Sequence, residues 1–175
     1  IIRRNAKHMA RLIDDLLDIS KIEAGKIEVE LAPFCPRELF QDVIDLLSVT
    51  ARGKGIEIVY EESGPLPERL KSDPFRIKQI FTNLLNNAIK FTDHGKVQIL
   101  VEFEQDKDSA LSGKLRVNVI DTGRGLSLEE QSRLFKPYSQ ADASVARQYG
   151  GTGLGLHLAR KLAALLGGEL ILLSS

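Results

Sequence analysis

Cysteine is nearly absent from this chain, and charge of either sign is in no surplus. Of 175 residues one is a cysteine, Cys35, set between Phe34 and Pro36, so no internal disulfide can form. A reducing compartment fits that usage, and a small packed residue is the simplest role for Cys35. Lys plus Arg and Asp plus Glu are equal at 24 each. With no global field to steer association, neither nucleic acid nor an acidic membrane surface is an expected partner, and a site for an anionic ligand has to be local. No apolar run reaches membrane-spanning length and no secretory signal is visible, so no membrane contact is expected. Internal repeats and low-complexity tracts are also missing. The chain starts inside a helical pattern without an initiator methionine and reads as a fragment. A cytoplasmic location is expected, with a membrane anchor upstream left open.

What is present is the composition of a soluble globular domain, 43% hydrophobic and 27% charged, long enough for one real core plus an appendage. From Ile1 to about Ala24, Ile2, Ala6, Met9, Ile13 and Leu16 recur in steps of four and three, the seam of a bundle or coiled coil. Leu12, Leu17, Ile19 and Ile22 widen that seam beyond the need of a lone surface helix, which implies a partner helix or subunit. Gly25 closes the helix. Ile27 to Leu31 alternates like a half-buried strand, and Pro36 opens a helix to about Arg52. Ile56 to Tyr60, Val97 to Phe103, Leu115 to Ile120 and Glu169 to Leu173 read as further strands, and Leu128 to Phe135 as a short helix. The mixture predicts a two-layer α/β sandwich (α+β in class), a mostly antiparallel sheet with helices on one face, preceded by a protruding helix.

The chain is organised around Phe75 to Thr92, FRIKQIFTNLLNNAIKFT. Ile77, Ile80, Phe81, Leu84, Leu85 and Ala88 share one helical stripe, which reads as core, and Asp73-Pro74 supplies cap and first turn. Asn83, Asn87 and Lys90, at i, i+4 and i+7, form a polar line flanking that stripe. Amide oxygens suit hard cations and an ammonium suits phosphate oxygens, so the line can hold metal-bound phosphates; a solvated helix edge is the plainer alternative.

Two glycine clusters favour the first alternative. Asp121-Thr122-Gly123-Arg124-Gly125 follows a strand directly: a carboxylate there can accept from an exocyclic amine, and the glycines let a flat ring approach the backbone, although the same residues can make a plain turn. Gly150-Gly151-Thr152-Gly153-Leu154-Gly155-Leu156 runs straight into an apolar-periodic helix and exposes N–H groups at the positive end of its dipole, a phosphate cradle rather than a hinge. No Gly-Lys-Ser/Thr follows it, so it is not a Walker A loop. Ser139 to Gly150 is polar and of functional-loop length; it reads as a lid, with Arg147 available to neutralise phosphate or else simply solvated.

Asn83-x-x-x-Asn87-x-x-Lys90-Phe91, Asp121-x-Gly123-x-Gly125, Phe135-x-Pro137-Tyr138 and Gly151-x-Gly153-x-Gly155 occur in the order of the N, G1, F and G2 boxes. In this the chain resembles the sensor histidine kinases of two-component systems. The first segment, ending Asp18-Ile19-Ser20-Lys21-Ile22-Glu23-Ala24-Gly25, is similar to the second helix of their dimerization hairpin. The resemblance implies a Bergerat ATP-binding fold over residues 26–175, a partial hairpin over 1–25, and ATP with Mg2+ as cofactors. It also implies Asn87 as the metal ligand, and Asn83 and Lys90 as the catalytic pair holding metal and phosphates. Phe91 would line the adenine pocket and Asp121 would bond the adenine amine, beside Gly123 and Gly125. Gly151, Thr152, Gly153, Leu154, Gly155 and Arg147 would hold the polyphosphate. The implied partners are a response-regulator receiver domain and a second copy of the chain.

Some positions depart from the family pattern. The phosphorylated His-Glu/Asp-x-Arg sequence is missing, and none of His8, His94 and His157 fits that role. Arg124 stands where an apolar residue is more usual, Tyr138 replaces the usual phenylalanine, and the chain stops at Ser175 before the expected final turn and strand. The expected chemistry is transfer of the ATP γ-phosphoryl group to a histidine upstream of the chain. Two rivals remain, a hydrolytic ATPase of the same fold and a signalling module that only binds or dimerizes. The hydrolase needs a glutamate four residues before the metal-binding asparagine, and Asn83 occupies that place.

Overall fold

The computed structural model describes residues 2–106, 113–137 and 153–173. The chain divides into two compact units, Leu31–Gly125, and Ile1–Glu30 with Leu126–Ser175.

In the Leu31–Gly125 unit the elements run β1 (Ala32–Phe34), α2 (Pro36–Gly53), β2 (Ile56–Glu62), β3 (Leu70–Ser72), α3 (Pro74–Phe91), β4 (Gly95–Gln105) and β5 (Gly113–Asp121). β2, β4 and β5 form one sheet in that order. β2 and β4 are parallel, with Ile56 opposite Gly95, while β4 and β5 are antiparallel, with Val97 opposite Asp121. A parallel pair needs a long crossover, and the segment containing β3 and α3 supplies it. β1 and β3 make a separate antiparallel ribbon.

Along β4 the two-residue period puts Val97, Ile99 and Val101 on one face, each fully buried. α2 covers that face with Leu39, Phe40, Val43 and Leu47, and α3 with Phe81, Leu85, Ala88 and Ile89. Phe40 and Phe81 meet edge to face, centroids 4.9 Å apart, the arrangement their ring quadrupoles prefer. Two layers, helices over a mixed sheet, are the result. α3 begins as its sequence dictates: Pro74 needs no intrahelical N–H partner, and the buried Asp73 carboxylate accepts from the Arg76 N–H at 3.0 Å.

The other unit holds α1 (Ile2–Glu23), α4 (Leu128–Arg133) and α5 (Gly155–Leu165). Ser127 and Glu130 cap α4 reciprocally. α5 buries Leu158, Ala159, Leu162 and Ala163. α1 packs near its C-terminal end, where Ile19 is buried and Glu23 pairs with Lys161 at 3.5 Å. Its seam residues Met9, Ile13 and Leu16, with Leu17, remain 46–63% exposed.

Several expectations are corrected. Ile27 to Leu31 is irregular; the strand there is the shorter β1, which includes Pro33, tolerated because the ribbon has only two strands. The alternation of Ile27 and Val29 reflects their partial burial, not a ladder. Glu169 to Leu173 is not a strand either, because among the described residues no strand offers it a ladder, and Ile171 and Leu173 are exposed. In place of one sheet there are two, a mixed sheet and a ribbon, and two of the three strand pairings are antiparallel, as expected. The short helix ends at Arg133, and the last helix starts at Gly155, after its glycine run.

Candidate functional site

The sequence-predicted residues of α3 lie on its C-terminal half. With Phe81, Leu85, Ala88 and Ile89 facing the core, 100° per residue sets Asn83, Asn87 and Lys90 about 180° away from the centre of that buried stripe. The polar line therefore stands nearly opposite the core and does not flank it. Ile80 and Leu84, expected in the core, are only half-buried and border the polar line. The three polar side chains are nevertheless half-buried as well.

Asn87 donates from Nδ2 to the Asn83 carbonyl at 2.9 Å, one turn back. The amide oxygen makes no hydrogen bond among the described residues. That is the donor atom a hard cation takes. No three His, Cys, Asp or Glu side chains cluster among the described residues, so a cation here would be shared between amide oxygen and ligand oxygens. Lys90 Nζ stands 4.6 Å from the centroid of the Phe91 ring, a cation–π contact. Burial pulls its ammonium below the ordinary 10.5, since the charge has lost water without gaining an anion.

Asp121 ends β5, the strand that pairs with β4 and packs beside α3. Its Oδ1 accepts from the Gly123 N–H at 2.9 Å, so the carboxylate organises the turn after the strand. Oδ2 makes no hydrogen bond among the described residues. Gly123 is seated on the last carbonyl of α3: a Cβ there would fall 2.6 Å from the Phe91 oxygen and 2.6 Å from Asp121 Oδ1. Only glycine permits that approach, and it brings the Asp121 turn to the same end of α3 as Asn87 and Lys90. Gly125 takes the left-handed conformation, φ 70°. Thr122 ties the turn to β4, its hydroxyl accepting from the Lys96 N–H at 3.1 Å.

One residue escaped the sequence reading. Lys54, just past α2, donates from Nζ to the carbonyls of Ile89, Lys90 and Thr92 at 2.8, 2.9 and 2.8 Å. A lysine between two glycines carries no local signal for a contact made some 35 residues away.

In the other unit Gly153 has φ 69°, and Gly155 is the first residue of α5. Leu154 is 2% exposed, so its side chain is closed to a ligand. Arg147, Gly151, Thr152 and Tyr138 lie outside the described residues, as does the expected lid from Ser139 to Gly150. His157 Nδ1 lies 2.9 Å from the Phe135 carbonyl, a structural contact.

A groove of about 630 Å3 opens elsewhere, lined by Pro33, Cys35, Arg37, Asp42, Arg69 and Lys78 among others. Its α3 members, Pro74 and Lys78, belong to the opposite end of the helix from Asn87, and none of the predicted site residues lines it.

The Asp121 turn thus abuts the end of α3 that carries Asn87 and Lys90. A family model, histidine kinase-, DNA gyrase B-, and HSP90-like ATPase, matches residues 72–175. The chain belongs to that ATPase family. It is 41% identical over 169 residues, 97% of its length, to the signal transduction histidine-protein kinase BarA of Escherichia coli K12. The sensor histidine kinase GacS of Pseudomonas protegens gives the same identity and coverage, and the chain spans 18% of either relative. Among solved structures, full-length ShkA in complex with AMPPNP is 35% identical with TM-score 0.78, covering 94% of this chain and 32% of that one. ThkA in complex with the response regulator protein TrrA is 26% identical with TM-score 0.68, covering 96% of this chain and 43% of that one. As a member of this ATPase family the chain has ATP as its expected ligand.

Proposed function

We propose that the chain is the ATP-binding catalytic part of a sensor histidine kinase, residues 26–175, carrying over residues 1–25 the second helix of a dimerization hairpin. The observation that supports this reading is Gly123 seated on the Phe91 carbonyl, with the Asp121 turn at the end of α3 that carries Asn87 and Lys90.

Asp121 accepts from the adenine exocyclic amine, while Gly123 and Gly125 allow the ring against the backbone and Phe91 lines its pocket. Lys90 binds phosphate oxygens, whose charge offsets the desolvation its ammonium suffers on burial. The amide oxygen of Asn87, which makes no hydrogen bond among the described residues, suits Mg2+, with Asn83 one turn back assisting. When bound, that ion would neutralise charge on the phosphate oxygens. Gly151, Thr152, Gly153, Leu154 and Gly155, by their backbone N–H groups, and Arg147 hold the polyphosphate. The γ-phosphoryl group passes to a histidine upstream of the chain: the bond from phosphorus to the β–γ bridging oxygen breaks and a phosphorus–nitrogen bond forms. Positioning and charge neutralisation do most of the catalysis.

The exposed Met9, Ile13, Leu16 and Leu17 support dimerization through α1. ThkA, solved with TrrA, supports a response-regulator receiver domain as the downstream partner. A cytoplasmic location is part of this reading; among the described residues no helix is long and apolar enough to cross a membrane.

The test joins the chain to an upstream hairpin helix bearing the histidine and follows label from γ-labelled ATP. An acid-labile phosphoprotein is expected; rapid release of inorganic phosphate without labelling would establish the hydrolase in its place.

A further inference from the structure

Three of the last four carbonyls of α3, those of Ala88, Ile89 and Lys90, are hydrogen-bonded by groups beyond the helix. A helix leaves its last carbonyls without intrahelical partners and concentrates about half a negative charge there. In α3 the Ala88 carbonyl accepts from both the N–H and the hydroxyl of Thr92, at 3.1 and 2.8 Å. Those of Ile89 and Lys90, with Thr92 just beyond, converge on Lys54 Nζ, and that of Phe91 faces Gly123. A single ammonium with three donors satisfies three acceptors, and it belongs to a residue far away in sequence.

This end of the helix is electrostatically wrong for a phosphate ligand, which ordinarily sits at a helix N-terminus. Two consequences of Lys54 follow. Its positive charge offsets the negative pole of α3 in the turn that carries Asn87 and Lys90. Its three bonds also fix the last turn, whose Phe91 carbonyl is the floor on which the Asp121 turn rests.

We propose that Lys54 is a positioning residue for nucleotide binding, an ammonium clamp on the C-terminal turn of α3 that holds the Asn87–Lys90 group in place without touching ligand. This inference rests on the ATP reading above, and its test separates the two. Lys54→Met keeps the stem and removes the charge, Lys54→Arg keeps the charge, and Lys54→Ala opens room for a small alkylammonium. The 175-residue chain and its variants are compared by calorimetric titration with MgATP and by amide hydrogen exchange without nucleotide.

Lys54→Met is expected to weaken MgATP binding about tenfold or more and to speed exchange about tenfold at residues 88–92, leaving residues 77–81 unchanged. Lys54→Arg should stay within about threefold of wild type, and propylammonium should restore binding to Lys54→Ala in a dose-dependent way. Uniformly faster exchange throughout the chain, or no rescue by either the arginine or the amine, would make Lys54 a merely structural residue and overturn the inference. So would unchanged exchange and unchanged affinity in Lys54→Met. If wild type itself fails to bind MgATP, the ATP reading fails, and with it the inference that the clamp serves nucleotide, whatever the exchange data show.

Discussion

Gly123→Ala tests the central geometry most directly. Gly123 is not held in the left-handed region, so alanine there brings no backbone penalty of its own; the cost is steric. The new Cβ would lie 2.6 Å from the Phe91 oxygen and 2.6 Å from Asp121 Oδ1, where ordinary contact begins near 3.4 Å. One is a helix backbone and the other a carboxylate at a strand end, so the turn has to lift by about 0.8 Å. Such overpacking costs roughly 1–3 kcal/mol, a fall in melting temperature of about 2–12 °C for a chain of this size. Binding should suffer separately. A shift of that size takes a hydrogen bond beyond useful length, and a bond to a charged acceptor is worth about 1.5–3 kcal/mol, or roughly 10- to 150-fold in affinity. Gly53→Ala is the control, since nothing lies within 4 Å of its Cβ and alanine suits a helix end. Titration of MgATP into both variants below their melting temperatures is the assay. If Gly123→Ala binds as wild type does, the Asp121 turn does not grip the base, and the site reasoning fails.

Three further outcomes bear on the same helix. Asn87→Ala removes the amide oxygen and should abolish the gain in nucleotide affinity that Mg2+ brings, leaving binding measured in excess EDTA nearly unchanged; titration with and without the metal reads this. Because phosphate favours charged Lys90, MgATP affinity should fall as pH rises through the lowered Lys90 pKa, below 10.5, and titrations across alkaline pH should lose this step in Lys90→Met. Asp73→Ala removes the cap at the far end of α3 and should cost about 1–2 kcal/mol, a fall of about 2–8 °C in thermal melts, with MgATP affinity within twofold of wild type.

Local rules read the helices well. Proline at the first turn, an aspartate cap and the 3.6-residue period gave α2 and α3 to within a residue or two, because capping and periodicity are properties of the segment itself. β1 and β3 were harder. Ala32–Phe34 and Leu70–Ser72 are too short for an alternation to register, and each is a strand only because the other lies beside it. The Asn83–Asn87–Lys90 line was legible as a line, but its direction relative to the core was not. That depends on which of Ile77, Ile80 and Leu84 the sheet covers, a tertiary matter that periodicity averages over. Lys54 was invisible for the same reason, its three acceptors being carbonyls that every residue has.

The division of α3 into two faces gives one side of this 18-residue helix to the core and leaves the Asn83, Asn87 and Lys90 line on the other. Phe81, Leu85, Ala88 and Ile89 are pinned by the sheet, so rotation of the helix about its axis would expose them, at roughly 1.5–3 kcal/mol for each large side chain. That same resistance fixes the azimuth of Asn87 and Lys90, which have no packing of comparable strength to orient them. Azimuth alone does not fix the axial position of the last turn, where the helix would otherwise fray. Lys54 and Thr92 act there, on carbonyls, and Gly123 rests on what they hold. A substitution in the core stripe should therefore disturb binding only as far as it disturbs folding, whereas one at Lys54 or Gly123 should weaken binding more than stability. The two classes of variant, plotted as loss of affinity against loss of melting temperature, should fall on separate lines.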